Sequence, residues 1–440
     1  MERQDPATAI YDYIILGCGI SALTAAKNLC EGGKSILVIE HYPEPGGNHR
    51  SRVIDGMEFD IGSIYFNSSD EQFRQFPELL PKCRAMNVGV KKICTNGAVG
   101  DYPFDWHIDG VRGAGDFLRA FSSLVRGRLH PGRDHDAGSY ARSRIGDVLY
   151  RRVGLDLYIK RLFGMDASMI DLDFALKRMQ WLARETSIRH RLRRLLRRFQ
   201  TAKRPAGATL VRLPGGFARY YGPVIDTLER KGVTFRFGDA ILGVETEGPL
   251  CRLQASSGNY VGRQLVSSIP LSDMSRLCRL PETELPTVAL LSLYVLLRGT
   301  WAPACSVLYN FHKQGYWKRI TVHSDFYRPA GAEPRYFTVE ICVPPGGSAP
   351  DAEAALADVA SHLRALKIVD GELVLVGSTL LANAYPVPEK GFKPRRDAFV
   401  AALAEKGVLC IGRQGKFEYI PHSNVAAREA IASVERLRRD

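Results

Sequence analysis

The sequence predicts an α/β fold: a Rossmann-like βαβ unit plus a second, mixed α+β region. Three observations carry this. The apolar run Tyr13-Ile14-Ile15-Leu16 opens into a glycine turn and a helical pattern. The next apolar run, residues 35–39, ends on an acid, Glu40. At 440 residues the chain exceeds one ordinary core, so two or three domains, or two built from interleaved segments, are expected.

The first run is of the kind buried on both faces of a parallel sheet. It leads into Gly17-Cys18-Gly19-Ile20-Ser21-Ala22, a G-x-G-x-x-A turn. Leu23, Ala26, Leu29 and Cys30 follow at helical spacing, and Gly32-Gly33 ends the helix. Each type has a reason: Gly17 permits the tight turn, Gly19 lets backbone N–H groups approach a pyrophosphate, and Ala22 lets helix and strand pack closely. The helix N-terminus favours the phosphate charge. Glu40, 21 residues after Gly19, can accept hydrogen bonds from a ribose and would repel a 2′-phosphate. Dinucleotide binding follows, with NADP disfavoured.

After Glu40 the alternation breaks. Gly46-Gly47-Asn48 lies where a second stretch of backbone can approach the cofactor. Further strands are expected at 233–237, at 264–269 (stopped by Pro270) and at 408–411, with a long final helix. Residues 110–205 read as mostly helical, strands are expected at 288–297, 306–311, 317–323 and 336–343, and a helix at 351–368.

Composition narrows the class. The 45% apolar and 24% charged content excludes bulk disorder, and the longest apolar stretch, 288–297, is too short to span a bilayer. No secretory signal is expected at the N-terminus. Nine scattered cysteines without a C-x-x-C pair predict reduced thiols and no metal centre. A cytoplasmic protein is expected, with a peripheral membrane contact left open.

Glu40 followed by Pro43, Pro45 and Gly46-Gly47-Asn48 resembles the UDP-galactopyranose mutase family, and more broadly the amine oxidase and protoporphyrinogen oxidase group of FAD proteins. The similarity recurs in order. Its segments are Phe59-Asp60-Ile61-Gly62, Tyr102-Pro103-Phe104, Leu162-Phe163-Gly164, Ala175-Leu176-Lys177-Arg178 and Leu213-Pro214-Gly215-Gly216-Phe217. Lys318-Arg319-Ile320-Thr321, Val339-Glu340, Tyr385-Pro386-Val387 and Gly412-Arg413 through Tyr419 complete the series.

The resemblance implies FAD as cofactor and a FAD-binding domain assembled from residues 1–70, 210–275 and 380–440. Residues 71–209 and 276–379 would form the inserted substrate domain. Gly17, Gly19, Ala22, Glu40, Gly46, Gly47, Asn48, Gly412 and Arg413 are the cofactor-binding candidates. Arg319, Arg178, Tyr385 and Tyr419 are the candidates for substrate contact and catalysis, the arginines because a planar fork pairs with phosphate oxygens. The implied activity is an FAD-dependent oxidoreductase passing hydride from a small molecule, anionic or nucleotide-linked, to the flavin. The alternatives are a pyranose/furanose mutase using reduced FAD without net redox, and a non-catalytic FAD-fold protein binding a membrane or partner. Two departures point away from a true mutase: Gly62-Ser63-Ile64-Tyr65-Phe66-Asn67 lacks the family's histidine, and no acid follows Tyr419 in Ile420-Pro421-His422-Ser423-Asn424.

The formal charge of +13 is concentrated: residues 184–204 hold nine Lys or Arg against one acid. Ile188, Leu192, Leu195, Leu196 and Phe199 form an apolar stripe among them, predicting a basic amphipathic helix. Solvation, an anionic membrane and steering of a phosphorylated substrate all fit it. Nucleic acid is not expected, because no recognised module accompanies the charge.

Overall fold

The computed structural model describes residues 10–61, 65–105, 107–129, 134–179, 182, 207–246, 248, 250–329, 331 and 333–438. The basic segment 184–204 lies outside the described residues.

Two seven-stranded sheets organise the described residues. In the first, Val233–Phe237, Ile36–Glu40, Ile10–Leu16 and Gly258–Ser267 run parallel in that order, and Val408–Cys410 adds a further parallel strand beside Gly258–Ser267. Cys251–Ala255 and Ile241–Glu245 extend it antiparallel. The strand Ile36–Glu40 is wholly buried, as its apolar run predicts for a strand covered on both faces. The helix Ile20–Cys30 packs against the C-terminal helix Ser423–Leu437, where Ala426, Ala427, Ala430 and Val434 are buried. Small residues on the C-terminal helix allow that close approach.

The second sheet has the order Val369–Pro386, Thr287–Trp301, Arg335–Val343, Trp317–Val322, Val307–Asn310, Val90–Ile93, Val99–Asp101. It is antiparallel apart from the parallel pair Val307–Asn310 and Val90–Ile93. The helix Ala352–Ala365 covers one face through Leu356, Val359 and Leu363. The helices Ala137–Val153, Leu155–Phe163 and Leu172–Arg178 build an adjoining core with Phe163, Phe174 and Val288.

Two placements depart from the boundaries drawn on the sequence. Phe73, Phe76 and Leu79 pack into the first sheet's core beside Tyr220 and Phe217, on the far side of the expected boundary at 70/71. Their apolar spacing needs a partner, and the helix Gly216–Arg230 supplies it. The strand Val369–Pro386 also runs past 379, so Tyr385 belongs to the second sheet.

A buried polar knot fixes the helix Gly216–Arg230 to the hairpin made by Arg50–Ile54 and Met57–Ile61. Arg212 is fully buried and bonds both Asp60 oxygens, at 3.1 Å (Nε to Oδ2) and 2.5 Å (Nη2 to Oδ1), and Glu58 at 2.7 Å. Glu58 also accepts from the N–H groups of Gly215 and Gly216 at 2.7 and 3.0 Å, capping the helix. All nine cysteines are unpaired, and no metal-ligating cluster occurs among the described residues.

Candidate active site

The parallel strands of the first sheet end at one edge. Gly17 follows Ile10–Leu16, Glu40 closes Ile36–Glu40, Ser268 follows Gly258–Ser267, and Gly412 lies just beyond Val408–Cys410. In open α/β sheets this carboxyl edge is where ligands bind. A cavity of about 550 Å³ begins there and extends to the second sheet.

Glycine backbone shapes the first end. Gly46 has φ +120°, and a Cβ there would lie 2.3 Å from the His49 carbonyl oxygen. Gly412 has φ +69°, and a Cβ would lie 2.7 Å from Ser21 Oγ. These positions accept glycine for conformation and space together. Gly19 differs: its φ is −78°, and an added Cβ would meet only ordinary contacts with Gly46 and Gly47. The protein itself would tolerate a side chain at Gly19, so the open space beside its backbone faces the cavity for another reason. No side chain caps the helix that starts at Ile20, and its first turn carries no acid. Its free N–H groups and the dipole suit a phosphate.

Glu40 is 3% exposed. It accepts from the Cys18 N–H at 2.7 Å and the Tyr42 N–H at 3.0 Å, which fixes the carboxylate at the cavity wall with lone pairs remaining. Gly46 N–H donates to the Cys18 carbonyl at 2.9 Å, so the two glycine loops brace each other. Burial, with Glu40 nearby, pushes the Cys18 thiol well up, so it stays protonated. Ala22 does not line the cavity; it is fully buried in the core behind it, where its small size serves helix packing.

The far end is made of side chains. Tyr65, Tyr102, Tyr158, Tyr309, Tyr385 and Tyr419 line it together with Arg178, Lys318, Arg319 and Arg413. Arg319 and Lys318 are neighbours on one strand, and alternation would send them to opposite faces. A register shift between Trp317 and Arg319 re-aims the backbone, and both pair with Glu340 on the next strand. Lys318 Nζ lies 2.7 Å from Glu340 Oε2. Burial pushes the Glu340 carboxyl up, but Arg319 and Lys318 outweigh it and hold the group at about 2. One carboxylate thus answers two of four cations, and the chamber keeps an excess of positive charge.

The tyrosines are positioned as donors. Arg178 Nη2 donates to the Tyr102 hydroxyl at 2.9 Å, and Lys318 Nζ donates to the Tyr385 hydroxyl at 3.1 Å. Each phenol oxygen is used as acceptor, so its own hydrogen is left to donate. Burial pushes the Tyr102 phenol up to about 12, only partly offset by Arg178, and also raises Tyr419. The hydroxyls of Tyr102 and Tyr419 therefore remain protonated. Tyr102 stacks on Tyr309 at 4.3 Å, which fixes both rings.

His49 also lines the cavity. Its Nδ1 lies 2.8 Å from the Tyr221 hydroxyl, and its ring stacks on Phe217 at 5.1 Å. Burial, reinforced by Arg413, lowers it to about 4, so the imidazole is neutral.

The structure therefore brings Gly17, Gly19, Glu40, Gly46, Gly47, Asn48, Gly412, Arg413, Arg178, Arg319, Tyr385 and Tyr419 to one cavity. Sequence reasoning gave no role to Lys318, Glu340, His49, Tyr65, Tyr158 or Tyr309. Glu340 carried a usable signal, a single acid inside the apolar strand Arg335–Val343. Such a charge needs a partner. The others carried none, because a bulge and stacked rings are set by tertiary packing.

A family model described as an NAD(P)-binding Rossmann-like domain matches residues 15–79. The chloroplastic prolycopene isomerase of Arabidopsis thaliana is 39% identical over 70 residues, 16% of this chain and 12% of that protein. The chain thus matches only a short part of such relatives. Whole-chain likeness lies in structure. A reduced UDP-galactopyranose mutase superposes with a TM-score of 0.76 at 16% identity, over 98% of this chain and 94% of that one. A putative protoporphyrinogen oxidase from Exiguobacterium sp. 255-15 gives 0.70 at 16% identity, over 97% and 98%. The chain shares its fold with these two proteins.

Proposed function

We propose that the chain is an FAD-dependent oxidoreductase of the amine oxidase-like superfamily, acting on a small anionic substrate. The observation that carries this reading is the single cavity, with glycine backbone at one end and tyrosines and cations at the other.

The residues fit FAD. Gly17, Gly19 and the N-terminus of the helix Ile20–Cys30 would hold the pyrophosphate, and Glu40 the ribose. Gly46, Gly47, Asn48, Gly412 and Arg413 would surround the ring system, where backbone approaches closely and Arg413 brings a positive charge. When bound, FAD supplies the two-electron redox chemistry that none of these side chains provides.

The protein's own groups do the rest. Arg319 and Arg178 offer paired N–H donors to a phosphate or carboxylate. Lys318 adds a point charge, and Glu340 keeps Lys318 and Arg319 oriented. Tyrosine hydroxyls complete the anion's hydrogen bonds, and their rings exclude water. Neutral His49 can exchange a hydrogen bond at the cavity wall without adding charge.

A second reading, sugar-ring interconversion without net redox, is favoured by Arg178 and Arg319 facing one chamber, which would clamp a diphosphate. Purified protein decides between them. Anaerobic bleaching of the flavin by a substrate, with one equivalent of oxidised product, is expected. Ring contraction of a UDP-sugar by dithionite-reduced protein, and no reaction of the oxidised form, would replace the oxidoreductase reading by the second. Well-folded protein that neither retains nor binds FAD would remove both.

A further inference from the structure

The helix Gly113–Arg128 is folded with its apolar side outward. Phe117 is 54% exposed, Leu118 64%, Phe121 52% and the following Leu129 71%. At helical spacing these share one arc with Val125, about a third of the circumference. The inward side is made of small residues instead. Ala120 is buried, and a Cβ on Gly127 would sit 2.7 Å from the Arg142 carbonyl oxygen of the helix Ala137–Val153. Asp116 fixes the rotation by pairing with Arg152 at 2.6 Å and accepting from the Arg112 N–H at 2.8 Å. Turning the helix to bury its phenylalanines would break these contacts, so the exposed face is built in.

Its charge identifies what that face meets. Residues 117–129 contain no acid; Arg119 and Arg126 lie together along one side of the apolar arc, and Arg128 stands within it near the helix C-terminus. No helix among the described residues is long and apolar enough to cross a membrane. A short helix with an exposed aromatic and leucine stripe bordered by arginines matches an element lying in the plane of a lipid interface. A second copy docking by the same face would bury the charged Arg128 of each copy in the contact with no acid on residues 117–129 to pair it.

We infer that Gly113–Arg128 is a membrane-surface anchor that inserts Phe117, Leu118 and Phe121 into an anionic lipid interface while Arg119 and Arg128 meet the phosphates. The test is co-sedimentation of the full chain with phosphatidylcholine vesicles, with and without phosphatidylglycerol. Binding is expected only when phosphatidylglycerol is present, and should weaken with salt. Changing Phe117, Leu118 and Phe121 to Ser should lower partitioning about tenfold or more at unchanged thermal midpoint. Should that variant unfold, R119Q/R128Q decides, since it should lower binding and flatten its salt dependence. The inference is overturned if the unmodified protein stays in the supernatant, or if both variants bind as it does, as when residues 184–204 alone hold the lipid. It is equally overturned if the serine variant turns a self-associating protein monomeric while neither form binds vesicles.

Discussion

The two ends of the cavity are built on opposite plans. At the first, recognition is by backbone: glycines, a helix N-terminus and one carboxylate fixed by two N–H groups. At the second it is by side chains, with ten ionisable or hydroxylic groups converging from widely separated elements. A backbone site is written into a contiguous stretch, so it can be read and matched locally. A side-chain site is assembled by topology and leaves little local trace. The family model accordingly matches residues 15–79, while the whole-chain likeness to solved proteins is one of fold, at 16% identity.

The largest expected effect separates the ends. Gly19→Val should abolish flavin retention, because its side chain would enter the cofactor space while its φ of −78° and protein contacts tolerate a Cβ. Visible absorbance and thermal unfolding measure the two consequences. Loss of flavin with the fold intact supports a backbone site, and retained flavin would break the distinction.

Acid should act on the fold behind both ends. Burial lowers His49 and His323 to about 4, with Arg413 adding to the effect on His49 and Asp60 partly opposing it on His323. The unfolded chain takes up these protons near the ordinary 6.5. Their contribution to stability is therefore constant above that pH and falls between about 6.5 and 4, by up to about 3 kcal/mol per histidine. Glu340, held at about 2, keeps its contribution until the pH drops below 4.5. Denaturant unfolding across this window measures the slope, and His49→Asn should reduce it.

At the chamber, Arg319→Gln should leave flavin bound and lower kcat/KM for the anionic substrate about 100-fold, the cost of losing a paired, charged contact. Equal loss of flavin would mean that the two ends are not separable. The smallest effect is expected from neutralising the arginines of 184–204. FAD affinity, measured by fluorescence titration, should not change, because on the proposed reading backbone groups would hold the pyrophosphate.

The legibility of the sequence follows the same division. Tyr13 to Leu16, the glycine turn and Glu40 announce the nucleotide end because each has a local conformational job. Arg178, Arg319, Tyr385 and Tyr419 came from an ordered resemblance, and the structure places them on one cavity. Lys318 is not legible beside Arg319, because strand alternation would place the two on opposite faces and the bulge next to Arg319 overrides it. The helix Gly113–Arg128 reads as an ordinary amphipathic segment until its glycine side is seen packed inward.

The central claim, one cavity whose glycine end is made for FAD, is tested most directly by denaturing the purified protein and identifying the released small molecule by mass spectrometry, alongside a visible spectrum taken before denaturation. The account predicts FAD at close to one equivalent per chain. Folded protein that releases NAD or no nucleotide, and takes up no FAD when it is supplied, would contradict it.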